Sequence, residues 1–124
     1  EGEAVLSPGL LHKHYSPRAN VVILDCGFET FAEFLDQHVD GKTGALVFEG
    51  EERFLSVPCV TFGREEDPII QARLLFGALR AVDEMGVDTI YARMPNPDGI
   101  GLAIYNRLLR AAGFEVLRLP GKNV

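Results

Sequence analysis

The chain has 124 residues, 47% of them apolar and 24% charged, with a formal charge of −6. This is the composition of one globular domain, and a chain of this size hides roughly two thirds of its unfolded surface. No apolar run is long enough for a membrane span, and the acidic balance disfavours extended nucleic-acid contact, which needs clustered Lys and Arg.

Residues 1 to 19 read as an extended arm. Ser7-Pro8-Gly9 and His14-Tyr15-Ser16-Pro17 punctuate it, and it shows little periodicity. No charged-then-apolar signal segment opens the chain, and Glu1-Gly2-Glu3 reads as the cut edge of a longer polypeptide. From residue 20 to 124 the pattern is that of a folded domain. Val21-Val22-Ile23-Leu24 is a short apolar run, as expected of a strand buried on both faces. Phe28, Phe31, Ala32, Phe34 and Leu35 form a helical stripe, and Ala45-Leu46-Val47-Phe48 a second strand. Phe54 to Phe62 is ambiguous: Val57 and Val60 favour extended chain, but Pro58 demotes it to an edge.

Ile69 to Met85 is the longest helical pattern, with Ile70, Leu74, Leu75, Ala78, Leu79 and Val82 on one side. Pro68 stands at its first turn, and Asp67 is placed to cap it. Gly86 ends that helix, and Thr89 to Met94 reads as a strand. Pro95 and Pro97 forbid its continuation, Asp98 is the expected cap of the next helix, and Ile100, Ile104, Leu108 and Ala111 give that helix an apolar side before Gly113. Glu115 to Leu119 makes a last strand. Helices alternating with short apolar strands imply crossover connections, hence an α/β, Rossmann-like three-layer domain with a mostly parallel sheet.

Most chemical motifs fail on inspection. Gly99-x-Gly101 after a strand invites a dinucleotide reading, but Ile104 stands where a third small residue belongs; a tight turn with close helix packing is the plainer reading. Gly41-Lys42-Thr43 lacks the first glycine of a phosphate loop. His12, His14 and His38 have no metal-ligand spacing with Cys26 or Cys59, which read as free thiols in a reducing cytoplasm. No Gly-x-Ser-x-Gly elbow supports a serine hydrolase. Glu65-Glu66-Asp67 reads as helix-start charge. In open parallel sheets ligands gather beyond the carboxyl ends of the strands. Arg93, Gly99, Gly101, Asn106 and Arg107 are therefore the candidates for a ligand or partner edge, with Arg64 as a further cation there.

Ser7-Pro8-Gly9 with His14-Tyr15-Ser16-Pro17 resembles the linker of the long, two-domain threonylcarbamoyl-AMP synthases. Gly99-Ile100-Gly101-Leu102-Ala103-Ile104 with Asn106-Arg107-Leu108 and Ala111-Ala112 is similar to the signature helix of their C-terminal domain. Phe76, Leu79, Arg80 and Asp83, followed by Gly86-Val87-Asp88, also fit. The resemblance implies a Rossmann-like C-terminal domain without catalytic residues, cofactor or metal of its own. In that family a YrdC-like domain condenses ATP, L-threonine and bicarbonate into threonylcarbamoyl-AMP, used to modify an adenosine in tRNA. The partner implied is that YrdC-like domain, in cis or in trans. ATP with a divalent cation belongs to the full-length enzyme, and the linker residues Lys13, His14, Tyr15 and Pro17 would contact and gate its active site. The family's usual Met, basic residue and Tyr after Ser-Pro-Gly are here Leu10, Leu11 and His12. The rival expectation is a stand-alone domain binding a nucleotide or carboxylate at the Gly99–Gly101 turn.

Overall fold

The computed structural model describes residues 17–113 and 115–120. Five strands form one all-parallel sheet: β1 (Asn20–Asp25), β2 (Thr43–Val47), β3 (Cys59–Thr61), β4 (Thr89–Arg93) and β5 (Val116–Arg118), ordered β3-β2-β4-β1-β5. Helix α1 (Phe28–Asp36) connects β1 to β2, α2 (Pro68–Glu84) connects β3 to β4, and α3 (Ile100–Ala111) connects β4 to β5. A short 3-10 helix, Glu51–Phe54, follows β2. The linker calls Lys13, His14 and Tyr15 lie outside the described residues.

Alternation along the central strands explains the three layers. Val21 and Ile23 of β1 point to one face, where Leu75, Leu79 and Val82 of α2 and Ile104 and Leu108 of α3 cover them. Val22 and Leu24 point to the other, against Phe31 and Leu35 of α1. Both faces are covered, so β1 reads as a continuous apolar run. The ambiguous stretch resolves into the 3-10 turn and β3, an edge strand directly after Pro58.

The long helix starts as its residues dictate: Pro68 occupies the first turn, and Asp67 Oδ1 accepts the Ile70 amide at 3.2 Å. The expectation for α3 needs two corrections. Its cap is Gly99, not Asp98, and no side chain caps it. Asn96 Oδ1 takes the Asp98 amide at 3.0 Å, a local turn that advances the helix start by one residue. Ile100 is 55% exposed, and Gly101 takes the inward position one residue later. Leu74 of α2 is likewise exposed, since Gln71, Leu75, Ala78, Leu79 and Val82 complete the buried stripe.

The two glycines of the turn answer to different constraints. Gly99 has φ 58° and ψ −131°, a region essentially closed to side chains. Gly101 has an ordinary helical conformation, but a Cβ there would collide with the Asn96 carbonyl oxygen. The helix thus packs directly on the backbone of the Pro95–Pro97 loop. Substituting Gly101→Ala therefore costs about 1–3 kcal/mol by overpacking, and Gly99→Ala about 1–3 kcal/mol by backbone strain. Gly77→Ala, at a mid-helix position where a Cβ meets nothing within 4 Å, stabilises by about 0.4–1 kcal/mol. Urea denaturation midpoints of the three variants check both the magnitudes and the opposite signs.

Candidate functional site

Neighbouring strands β1 and β4 send their connections to opposite faces of the sheet: β1 feeds α1 on one side and β4 feeds α3 on the other. Where adjacent connections diverge, the carboxyl ends of the strands are left uncovered and a crevice opens. Here that crevice is a cleft of about 490 Å³, lined by Asp25, Cys26, Gly27 and Phe28 after β1 and by Arg93 to Pro97 at the end of β4, with Phe48 and Glu65.

Arg93 is the centre of the site. It is 4% exposed. Its Nε donates to Glu51 Oε1 at 3.1 Å, and Nη2 donates to Glu51 Oε2 at 3.2 Å. The same Nη2 donates to Glu65 Oε2 at 3.1 Å, and Nη1 donates to the Cys26 carbonyl at 3.2 Å. The guanidinium carbon also lies over three aromatic rings, 5.1 Å from the centre of Phe48, 5.6 Å from Phe28 and 5.9 Å from Phe31. A buried cation is tolerated only with this kind of compensation: a bidentate carboxylate, a carbonyl and ring faces.

The partners are themselves fixed. Glu51 Oε1 accepts the Phe48 amide at 3.0 Å, which seats the carboxylate at the start of the 3-10 helix. The loop carrying Glu65 is held by Gln71, 2% exposed, whose Nε2 donates to the carbonyls of Arg64 and Glu65 at 2.7 and 3.0 Å. Glu65 itself has 64% of its side chain exposed, so it approaches Arg93 from the solvent side. The acidic triplet thus divides its work: Asp67 caps α2, Glu66 pairs with the exposed Arg64 at 2.6 Å, and Glu65 meets Arg93.

The structure separates the other candidates. Gly99 and Gly101 serve the turn and the close packing just described. Asn106 and Arg107 are exposed on α3, with Ile104 and Leu108 facing inward. At 1.5 Å rise per residue they stand roughly 10 Å along the axis from the helix start. Arg93 belongs to the cleft; Asn106 and Arg107 lie on the solvent face of the helix instead. Glu51, Gln71 and Phe48 were missed from sequence, because nothing local marks a carboxylate 42 residues upstream as the partner of an arginine.

Neither thiol is activated. Burial pushes the Cys59 thiol up to about 11, with Glu52 adding to the shift. Burial also raises Cys26, despite the opposing charge of Arg93. Among the described residues no group of three or more His, Cys, Asp or Glu side chains could hold a metal ion, and no helix is long and apolar enough to cross a membrane.

Two measurements check this geometry. Arg93→Ala strands Glu51 without its cation in a mostly buried setting and destabilises by about 3–5 kcal/mol. Glu65→Gln, where the carboxylate is mostly in water and the amide oxygen can still accept from Arg93, costs only about 1 kcal/mol; urea denaturation of both variants reads the contrast. Raised thiol values mean little thiolate near pH 8, so iodoacetamide labels Cys59 in the folded chain at least about tenfold more slowly than in urea.

Comparison with known proteins places this architecture. Residues 1–113 match the family model described as threonylcarbamoyl-AMP synthase, C-terminal domain. The threonylcarbamoyl-AMP synthase of Bacillus subtilis is 35% identical over 121 residues, 95% of this chain but 35% of that protein. The crystal structure of Pyrococcus abyssi Sua5 complexed with L-threonine superposes with a TM-score of 0.71 at 27% identity, over 86% of this chain and 32% of the other. A variant of that protein, with a His and the Tyr after it both changed to Ala, gives 0.67 at 27% identity, covering 87% and 32%. The chain spans about a third of the length of the curated relatives it matches.

Proposed function

This chain belongs to the family of threonylcarbamoyl-AMP synthase C-terminal domains, and from that premise we propose that it is the non-catalytic, regulatory part of such an enzyme. The observation that carries the reading is the extent of the family match, which runs from residue 1 through the whole arm and into α3. The chemistry proposed for the whole enzyme is condensation of ATP, L-threonine and bicarbonate to threonylcarbamoyl-AMP and pyrophosphate, with a divalent cation, for tRNA modification. It is assigned to the YrdC-like domain that the family resemblance implies.

The arm is the regulatory element in this proposal. Its root is firmly held: Pro17 and Ala19 are buried, and the Arg18 amide donates to Asp83 Oδ1 at 2.7 Å, fixing the arm's exit against the end of α2. Beyond that root, Lys13, His14 and Tyr15 contact the nucleotide-binding domain and gate its active site, with Pro17 setting the direction of departure. The adjacent His14 and Tyr15 are a pair of the type altered in the solved Pyrococcus variant. The partner is the YrdC-like domain, joined in cis or supplied in trans, in the cytoplasm.

Pyrophosphate release tests the proposal. In a protein joining this chain to its YrdC-like domain, Tyr15→Ala lowers turnover at least about tenfold, the loss of roughly 1.4 kcal/mol of positioning energy. The melting temperature of the C-terminal domain stays unchanged, because the contacts proposed for Tyr15 are to the other domain. Unaltered turnover would remove the gating role, and pyrophosphate release by this chain alone would overturn the assignment of chemistry to the YrdC-like domain.

A further inference from the structure

Two charged side chains of the cleft at the ends of β1 and β4 retain unused hydrogen-bonding capacity. Of the hydrogens on Arg93 Nη1, one goes to the Cys26 carbonyl and the other has no acceptor among the described residues. Across the cleft, Asp25 Oδ2 accepts Arg118 Nε at 3.0 Å, while Oδ1 has no donor among the described residues. The Asp25 side chain is 29% exposed, and its Arg118 partner is 85% exposed, so solvent and solutes reach this carboxylate.

Glu65 shows how an anion approaches. Its carboxylate sits on the outer edge of Arg93 at 3.1 Å, yet 64% of the side chain is exposed. With most of its side chain in water, Glu65 is the less constrained of the two carboxylates on Arg93, so a solute carboxylate can take its place while Glu65 swings into water. Glu51 is the opposite case: bidentate, with 14% of its side chain exposed, it remains as the permanent partner.

Charge decides which ligand. Asp25, Glu51 and Glu65 outnumber Arg93 and Arg118 by one negative charge. A phosphate or nucleotide would deepen that excess, whereas a zwitterion leaves it unchanged and offers an ammonium to Asp25. Phe28, Phe48, Met94, Pro95 and Pro97 add apolar wall to the same cleft. We infer that the cleft binds a free apolar α-amino acid, its carboxylate replacing Glu65 on Arg93, its ammonium on Asp25 Oδ1, and its side chain against the apolar wall. This goes beyond the proposed regulatory role and holds for the chain by itself, whatever the arm does.

Isothermal titration of this chain with L-phenylalanine and L-leucine, up to millimolar concentration, is the test. Parallel titrations use 3-phenylpropanoate, which has the same body without the ammonium, and inorganic phosphate. Glu65→Gln removes the competing carboxylate and tightens amino-acid binding about tenfold, and Asp25→Asn weakens it about tenfold. Glu65 and Asp25 are not core residues, and a native amide spectrum of each variant confirms the fold. The inference is overturned if neither amino acid binds wild type or the Glu65→Gln variant, or if that substitution leaves affinity unchanged. It is equally overturned if 3-phenylpropanoate or phosphate binds as tightly as the amino acids.

Discussion

A guanidinium group inside an apolar setting is expensive unless everything around it is arranged for it. Arg93 imposes that requirement on one whole end of this domain. The segment after β1 supplies a carbonyl, the segment after β2 a bidentate carboxylate and a ring, and the loop before α2 a second carboxylate. Three connections far apart in sequence are thereby fastened to the last residue of β4. Loops at the carboxyl end of a parallel sheet are usually its most variable part; here they share a single electrostatic anchor, and the cleft has a fixed wall because of it.

Close backbone packing sets the opposite wall. Gly101 lets α3 rest directly on the carbonyl of Asn96, so the proline-flanked loop is trapped between the helix start and the end of β4. The signature that resembles a dinucleotide fingerprint is thus a device for holding a loop. The same small residues that elsewhere admit a pyrophosphate here admit another part of the chain, and the cleft lies on the other side of that loop.

Much of the fold was legible because burial on both faces and crossover helices leave plain marks. The apolar runs at Val21–Leu24 and Ala45–Phe48 became β1 and β2, Thr89 to Met94 became β4, and Pro68 with Asp67 located the start of α2 within one residue. The parallel sheet followed from alternation of helices and strands, and the family from two spaced motifs, which the match over residues 1–113 supports. The site was legible only in part. Arg93 and the sheet edge could be named, since strand ends are where ligands gather. Its partners could not, because Glu51 and Glu65 are ordinary surface residues in sequence and acquire their role only when the β2 and β3 connections fold over β4. Asn106 and Arg107 stand apart from that cleft: being near a motif in sequence places a residue along a helix, but the helical turn decides which side it faces.

The attachment of the arm has a mechanical consequence. Arg18 and Asn20 lead straight into β1, which lies second from one side of the sheet and is hydrogen-bonded to β4 over five residue pairs and to β5 over three. Tension applied at Pro17 is therefore directed along a strand held on both flanks. The ladder bonds on each side bear such a load together, in shear, instead of opening one after another as they would if the arm joined an edge strand at right angles. The Arg18–Asp83 bond adds a stop at the point of entry. A load applied at Pro17 is thus taken up by the sheet without unzipping it.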